Sequence, residues 1–217
     1  MSEPQPASGS PGLFVVFEGG EGAGKSTQAK LLALALRTAG REVVETREPG
    51  GTPAAESMRR ILLDPELPDV GIRSEALLFA AARGDHVRAV IRPALAAGAV
   101  VVCDRYVDSS LAYQGVARGL GVEAVRTFNM WAIEGLLPQL TVVLDVDPQV
   151  GLVRAGAPDR LEREPLVFHQ DVARAFRGLA AEQPARYLVL DAQGDREVLA
   201  ALILARVNEL LDAQPIR

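Results

Sequence analysis

Two spacings of apolar residues alternate along this chain. Short, nearly continuous apolar runs occur at Leu13–Phe17, Ala99–Asp104, Leu140–Asp147 and Tyr187–Leu190, with a mixed one at Glu42–Glu48. Between them apolar residues recur every three or four positions, as in Ala29, Leu32, Ala33 and Leu36 ahead of Gly40. Unbroken runs of this length suit strands buried on both faces, and a three-to-four spacing gathers apolar residues on one side of a helix. Further helices are predicted over Ala54–Leu63, closed by Asp64-Pro65, and over Glu75–Ala97, where Pro93 should kink the axis or end one segment. Others are predicted over Gly121–Leu137, with Trp131 as a packing residue, from Pro148 to about Arg154, over Pro165–Ala181 and over Glu197–Leu211. Strand and helix in this alternation predict an α/β fold of three layers, with a central five-stranded parallel sheet flanked by helices.

The turn after the first run adds chemistry to this architecture. Residues 19–27 read Gly-Gly-Glu-Gly-Ala-Gly-Lys-Ser-Thr, and Gly19, Gly24, Lys25 and Ser26 meet the spacing of a phosphate-binding loop. Glycines let the backbone turn its N–H groups inward onto phosphate oxygens, Lys25 would reach the β- and γ-phosphates, and Ser26 offers a hydroxyl to Mg²⁺. Gly20, Glu21, Gly22, Ala23 and Thr27 complete the loop, and the following helix turns its positive end toward the anion. With a strand before it and a helix after it, the loop makes the fold P-loop NTPase-type.

Other strand ends then become informative, because ligands of open α/β sheets bind beyond the carboxyl ends of the strands. Asp104 closes an apolar run, as does the acid that holds Mg²⁺ beside a phosphate loop, and Arg105 follows it. Arg47-Glu48-Pro49-Gly50-Gly51-Thr52 reads either as a specified turn on the same rim or as a solvated one. Phe79 and Arg83 share a helix face, which could serve a base or be core plus surface. If the segment after Tyr106 is helical, Ser110 shares a face with Tyr113 and Gln114, a polar face with one aromatic that suits a nucleoside. The piece between Arg154 and Glu164 is short, charged and interrupted by proline, the composition of a mobile lid and equally of many solvated loops.

Composition narrows the partners. The net charge of −5 argues against a nucleic-acid polymer, which needs a basic face. Lys25 and Lys30 are the only lysines, so the other 21 of the 23 basic residues are arginines, suited to bidentate phosphate recognition. The absence of an apolar stretch near 18 residues excludes a helical membrane span, and the single Cys103 reads as a buried thiol in a reducing compartment. Residues 1–12, rich in Pro, Ser and Gly, are expected to be a disordered tail ahead of one domain over 13–217, located in the cytoplasm.

Taken in order, these segments resemble those of the thymidylate kinases, P-loop nucleoside monophosphate kinases. The resemblance covers nearly everything from Leu13 onward. It rests on residues 19–27, Arg47-Glu48-Pro49-Gly50-Gly51-Thr52, the Phe79/Arg83 pair, Asp104-Arg105-Tyr106 running into Ala112-Tyr113-Gln114, and Asp159-Arg160-Leu161-Glu162. It implies transfer of the γ-phosphoryl group of ATP to dTMP, giving dTDP for dTTP synthesis, with Mg²⁺, in a homodimer. It implies that Phe79 stacks on thymine, Arg83 bonds its O4, Ser110 and Gln114 lie near its other polar edge, and Tyr113 crowds the sugar's 2′ position. Arg47 and Arg105 would clamp the acceptor phosphate, Glu21 would face the sugar and metal region, and Pro49 and Ser109 complete the acceptor set. Adenine is expected near Arg154 and the Ala192-Gln193 turn, and metal near Ser26 and Asp104. Some members carry an arginine inside the phosphate loop, where this chain has Gly22 and Ala23, so it resembles the bacterial class with the catalytic arginine in a lid at about 154–164. That lid looks shortened, which makes Arg160 the first candidate, ahead of Arg163 and Arg154. The alternatives are a P-loop kinase for another nucleotide or small molecule, and a nucleotide-dependent switch ATPase. An Asn-Lys-x-Asp guanine motif cannot exist with lysines only at 25 and 30.

Overall fold

A computed structural model describes residues 12–66, 70–155 and 160–213. Its strands are β1 Phe14–Glu18, β2 Val43–Arg47, β3 Val100–Asp104, β4 Leu140–Asp145 and β5 Tyr187–Asp191. They form one parallel sheet in the order β2-β3-β1-β4-β5. In chain order the helices are α1 Lys25–Thr38, α2 Pro53–Leu63, α3 Ile72–His86, α4 Arg92–Ala96, α5 Val107–Ser110, α6 Val122–Ala132, α7 Pro148–Ala155, α8 Leu166–Glu182 and α9 Arg196–Asp212. The expected five-stranded three-layer arrangement is therefore present.

Side chains of a strand alternate between faces, so each buried strand feeds two cores. Phe14 and Val16 of β1, with Val101 and Cys103 of β3, pack toward α3, α6 and α8. Leu13, Val15 and Phe17, with Val100 and Val102, pack toward α1 and α9, where Ile203 and Val207 are fully buried. Both faces being covered explains why β1, β3 and β4 read as unbroken apolar runs rather than as alternating ones.

Several boundaries differ from expectation for local reasons. The helix expected from Glu75 begins at Ile72, a half-exposed residue that adds nothing to the apolar stripe. Pro93 stands at a boundary between segments: the chain passes through a π turn at Val87–Ile91 into α4, whose first turn holds Pro93 where no N–H donor is needed. The helix expected to reach Leu137 stops at Ala132, because Glu134 (φ 51°) and Gly135 (φ 72°) are left-handed and the Gly135 amide bonds back to Met130. Trp131 is a clear correction. It is 84% exposed, since α6 buries the side bearing Val125 and Asn129 and Trp131 lies two positions, about 200°, beyond Asn129. Residues 1–11 of the expected tail lie outside the described residues, whereas Gly12 is anchored through its amide to the Leu95 carbonyl.

Candidate functional site

Sheet register brings the chemistry to one rim. Phe17 of β1 and Arg47 of β2 both sit opposite Asp104 of β3, so Glu18, Arg47 and Asp104 end together at the carboxyl edge. Beyond β1 the chain enters the phosphate loop, then α1 with Lys25 as its first residue. The loop is threaded tightly. Gly22 has φ +63°, and a β-carbon there would come within 2.0 Å of the Gly151 carbonyl at the start of α7.

Lys25 is buried and donates Nζ to the carbonyls of Gly19 (3.1 Å) and Gly20 (2.7 Å). Burial, and next the neighbouring Arg105 charge, push its pKa down to about 8, with Glu21 and Asp104 pulling the other way. A phosphate would give this ammonium the anionic partner that the loop carbonyls replace only weakly. Ser26 Oγ donates to Asp104 Oδ2, which sets a hydroxyl and a carboxylate side by side on the cavity wall. Hard oxygen donors of this kind suit Mg²⁺.

Arg105 has φ 69°, an uncommon conformation for a residue with a side chain. Its guanidinium donates to the Gly19 carbonyl (3.2 Å), Ser109 Oγ (3.2 Å) and Glu21 Oε1 (2.7 Å), and lies 5.2 Å from the centre of the Tyr113 ring. Tyr113 donates its hydroxyl to the same Glu21 oxygen at 2.6 Å. Burial would raise the Glu21 pKa, but the cations Arg105 and Lys25 outweigh it and hold the carboxyl at about 2. Glu21 is thus an ionised hub joining the phosphate loop, Arg105 and Tyr113. Beneath it Glu18, fully buried, accepts from the amides of Tyr106 (2.8 Å) and Ser109 (3.1 Å) and from Ser109 Oγ (2.6 Å).

These groups face a cavity of about 390 Å³. Glu21, Gly22, Gly24, Lys25, Ser26 and Thr27 of the phosphate loop and α1 line it, as do Arg47, Pro49, Phe79, Ser109, Ser110, Tyr113 and Gln114, together with Asp104 and Arg105. The segment after Tyr106 is helical, α5 passing into a π turn at Leu111–Ala117, and Ser110, Tyr113 and Gln114 do share the cavity side.

Other expected residues stand elsewhere. Arg83 is 2% exposed and lies behind the lining, where it donates to Glu48 Oε2 (2.6 Å), Ser110 Oγ (3.0 Å), Asn129 Oδ1 and the Tyr106 carbonyl (3.0 Å). Four of its five N–H groups are used there. Gly19 and Ala23 are buried and Gly20 is half-buried, and none of the three lines the cavity. Arg154 is exposed and reaches the Ala192 carbonyl at 3.4 Å, next to Gln193, so these three cluster outside the cavity. Arg160 donates Nε to the Leu62 carbonyl (2.9 Å) and Nη2 to Glu75 Oε2 (2.6 Å), while Arg163 is exposed. Asp159 lies outside the described residues.

Arg59 also lines the cavity and was missed by sequence reasoning, as were the supporting acids Glu18 and Glu75; Leu161 and Glu162, which line it too, were named only within the motif at 159–162. Arg59 was discoverable: it falls two turns into α2, the helix that the Gly-Gly turn launches, and it donates to the Pro49 carbonyl at 2.9 Å.

Comparison with known proteins agrees with this geometry. A family model described as Thymidylate kinase matches residues 17–203. Thymidylate kinases of Rhizorhabdus wittichii and Deinococcus radiodurans are each 50% identical to this chain, over 93% of it and 99% of the first relative, and over 92% of it and 98% of the second. The crystal structure of thymidylate kinase from Ehrlichia chaffeensis superposes with a TM-score of 0.75 at 32% identity, covering 92% of this chain and all of the other. The chain belongs to the thymidylate kinase family.

Proposed function

We infer that the chain carries out its family's reaction, transfer of the γ-phosphoryl group of ATP to dTMP, within the cavity between the phosphate loop and the Phe79 wall. The observation that carries this assignment of the site is the Glu21 hub, which ties a phosphate loop to Arg105 and Tyr113. A phosphate oxygen of dTMP attacks the γ-phosphorus and ADP leaves. The nucleophile is already ionised, so catalysis is positioning and charge neutralisation rather than proton transfer.

In this reading the loop amides of 19–24 and Lys25 hold the ATP phosphates, and Arg154, Ala192 and Gln193 border the adenine. Arg47 and Arg105 hold the acceptor phosphate, Pro49 and Ser109 flank it, Phe79 stacks on thymine, and Tyr113 occupies the space a ribose 2′-hydroxyl would need. Ser110 and Gln114 meet the base edge, and the remaining Arg83 N–H serves O4. Ser26 and Asp104 would hold Mg²⁺, which neutralises phosphate charge when bound. Arg160 is the proposed lid guanidinium, and reaching the phosphates exchanges its bonds to Glu75 and Leu62 for phosphate oxygens.

We also propose a homodimer formed through helix packing. Trp131 on α6 and Leu77 on the adjoining α3 are 84% and 56% exposed, apolar surface that a second copy would cover. Among the described residues no helix is long and apolar enough to cross a membrane, and we place the reaction in the cytoplasm, without a nucleic-acid polymer as partner. Formation of dTDP from dTMP with ATP and Mg²⁺ tests the reaction. ATP turnover that is indifferent to any monophosphate acceptor would favour a switch ATPase.

A further inference from the structure

We propose that Glu75 selects the acceptor base by fixing the amide of Gln114. The inference rests on the reading of the Phe79 end of the cavity as the dTMP site. Glu75 is 1% exposed and is not part of the cavity lining, so it acts through another residue. Its Oε1 accepts from Gln114 Nε2 at 2.9 Å. Its Oε2 accepts from Arg160 at 2.6 Å and lies 3.5 Å from Arg118, so both oxygens are committed and the carboxylate cannot turn freely. Arg118 keeps one cation beside it when Arg160 moves.

The consequence follows from what each group can do. A carboxylate only accepts, so it takes the nitrogen end of the Gln114 amide and leaves the oxygen end pointing away from it. Gln114 is 2% exposed yet lines the cavity, and its Oε1 takes no bond from any described residue. The cavity therefore meets the base with a fixed acceptor. Thymine and uracil carry N–H at N3 and satisfy it; cytosine carries a lone pair at N3 and leaves two buried acceptors opposed. A glutamine without Glu75 could turn its amide over and serve either edge.

The test is kcat/KM with ATP and Mg²⁺ for dTMP, dUMP and dCMP. In Glu75→Gln the new amide can donate to Gln114 Oε1 and release Nε2 toward the base. The dTMP:dCMP ratio should then fall about tenfold or more, while the dTMP:dUMP ratio stays put, because both of those bases carry N3–H. Gln114→Ala should lower the dTMP:dCMP ratio similarly, and adding Glu75→Gln to it should lower it no further. Glu75→Asp, which keeps a charge for the arginines but withdraws it from the amide, should show the same loss and covers the case that Glu75→Gln does not fold. A merely structural Glu75 would depress all three acceptors together. Unchanged ratios in both Glu75 variants beside a collapsed ratio in Gln114→Ala would overturn the proposal alone. An unchanged ratio in Gln114→Ala would overturn the base-edge reading, and the proposal with it.

Discussion

A β-carbon on Gly22 would stand 2.0 Å from the carbonyl oxygen of Gly151, and one on Gly151 would stand 2.3 Å from the carbonyl of Glu21. The phosphate loop and the first turn of α7 are thus packed backbone against backbone. A side chain at position 22 has nowhere to go while α7 stays in place.

Gly22→Arg should therefore displace the phosphate loop rather than seat a new guanidinium in it. We expect kcat/KM for ATP to fall by about 100-fold, as a misplaced phosphate site would give. Steady-state kinetics with ATP varied checks this, and an enzyme with unimpaired ATP kinetics would show that α7 yields to the new side chain.

Glu18 gives a pH signature. Burial, and next the Asp108 charge, raise its pKa from 4.5 to about 7 in the folded chain, against the opposing pull of Arg105 and Ser109. Below about pH 4.5 folded and unfolded chains both hold this proton. Between 4.5 and 7 only the folded chain holds it, so its stabilising contribution is lost as pH rises through 7, in total about 3 kcal/mol. Glu18→Gln removes that dependence, so the variant should gain on the parent by up to this amount between pH 4.5 and 7.5. Urea unfolding at both ends of the range measures the difference; a constant offset would mean that Glu18 titrates normally.

Arg160 is tied to Glu75 and the Leu62 carbonyl in this structure. If it meets the γ-phosphate in the transition state, Arg160→Ala should lower kcat by roughly 10³-fold while KM for dTMP changes much less. Near-normal turnover would transfer the role to Arg163 or Arg154.

How far the sequence revealed all this depended on whether a residue's task is local. The phosphate loop, the strand ends at Asp104 and Arg47, and the turn between them were legible because a glycine pattern and an apolar run each announce their own geometry. Trp131 was not, because an eleven-residue helix does not say which of its sides meets the core, and in α6 that side is chosen by Val125 and Asn129. Glu75 was read only as the start of a helix; its burial goes with donors from positions 114, 118 and 160, which nothing at position 75 reveals. Arg83 was read correctly as sharing a face with Phe79, yet four of its donors turn inward to Glu48, Ser110, Asn129 and Tyr106. Local rules reach the elements and the loop, whereas the support behind Ser110 and Gln114 is assembled by tertiary contacts alone.

The central claim is that this cavity takes a thymine monophosphate as phosphoryl acceptor. The most direct measurement is the rate of phosphorylation of dTMP, dUMP, dCMP, AMP and GMP with ATP and Mg²⁺. A preference for dTMP over all the others is the predicted result. An enzyme that phosphorylated another member of the panel as well as or better than dTMP would contradict it.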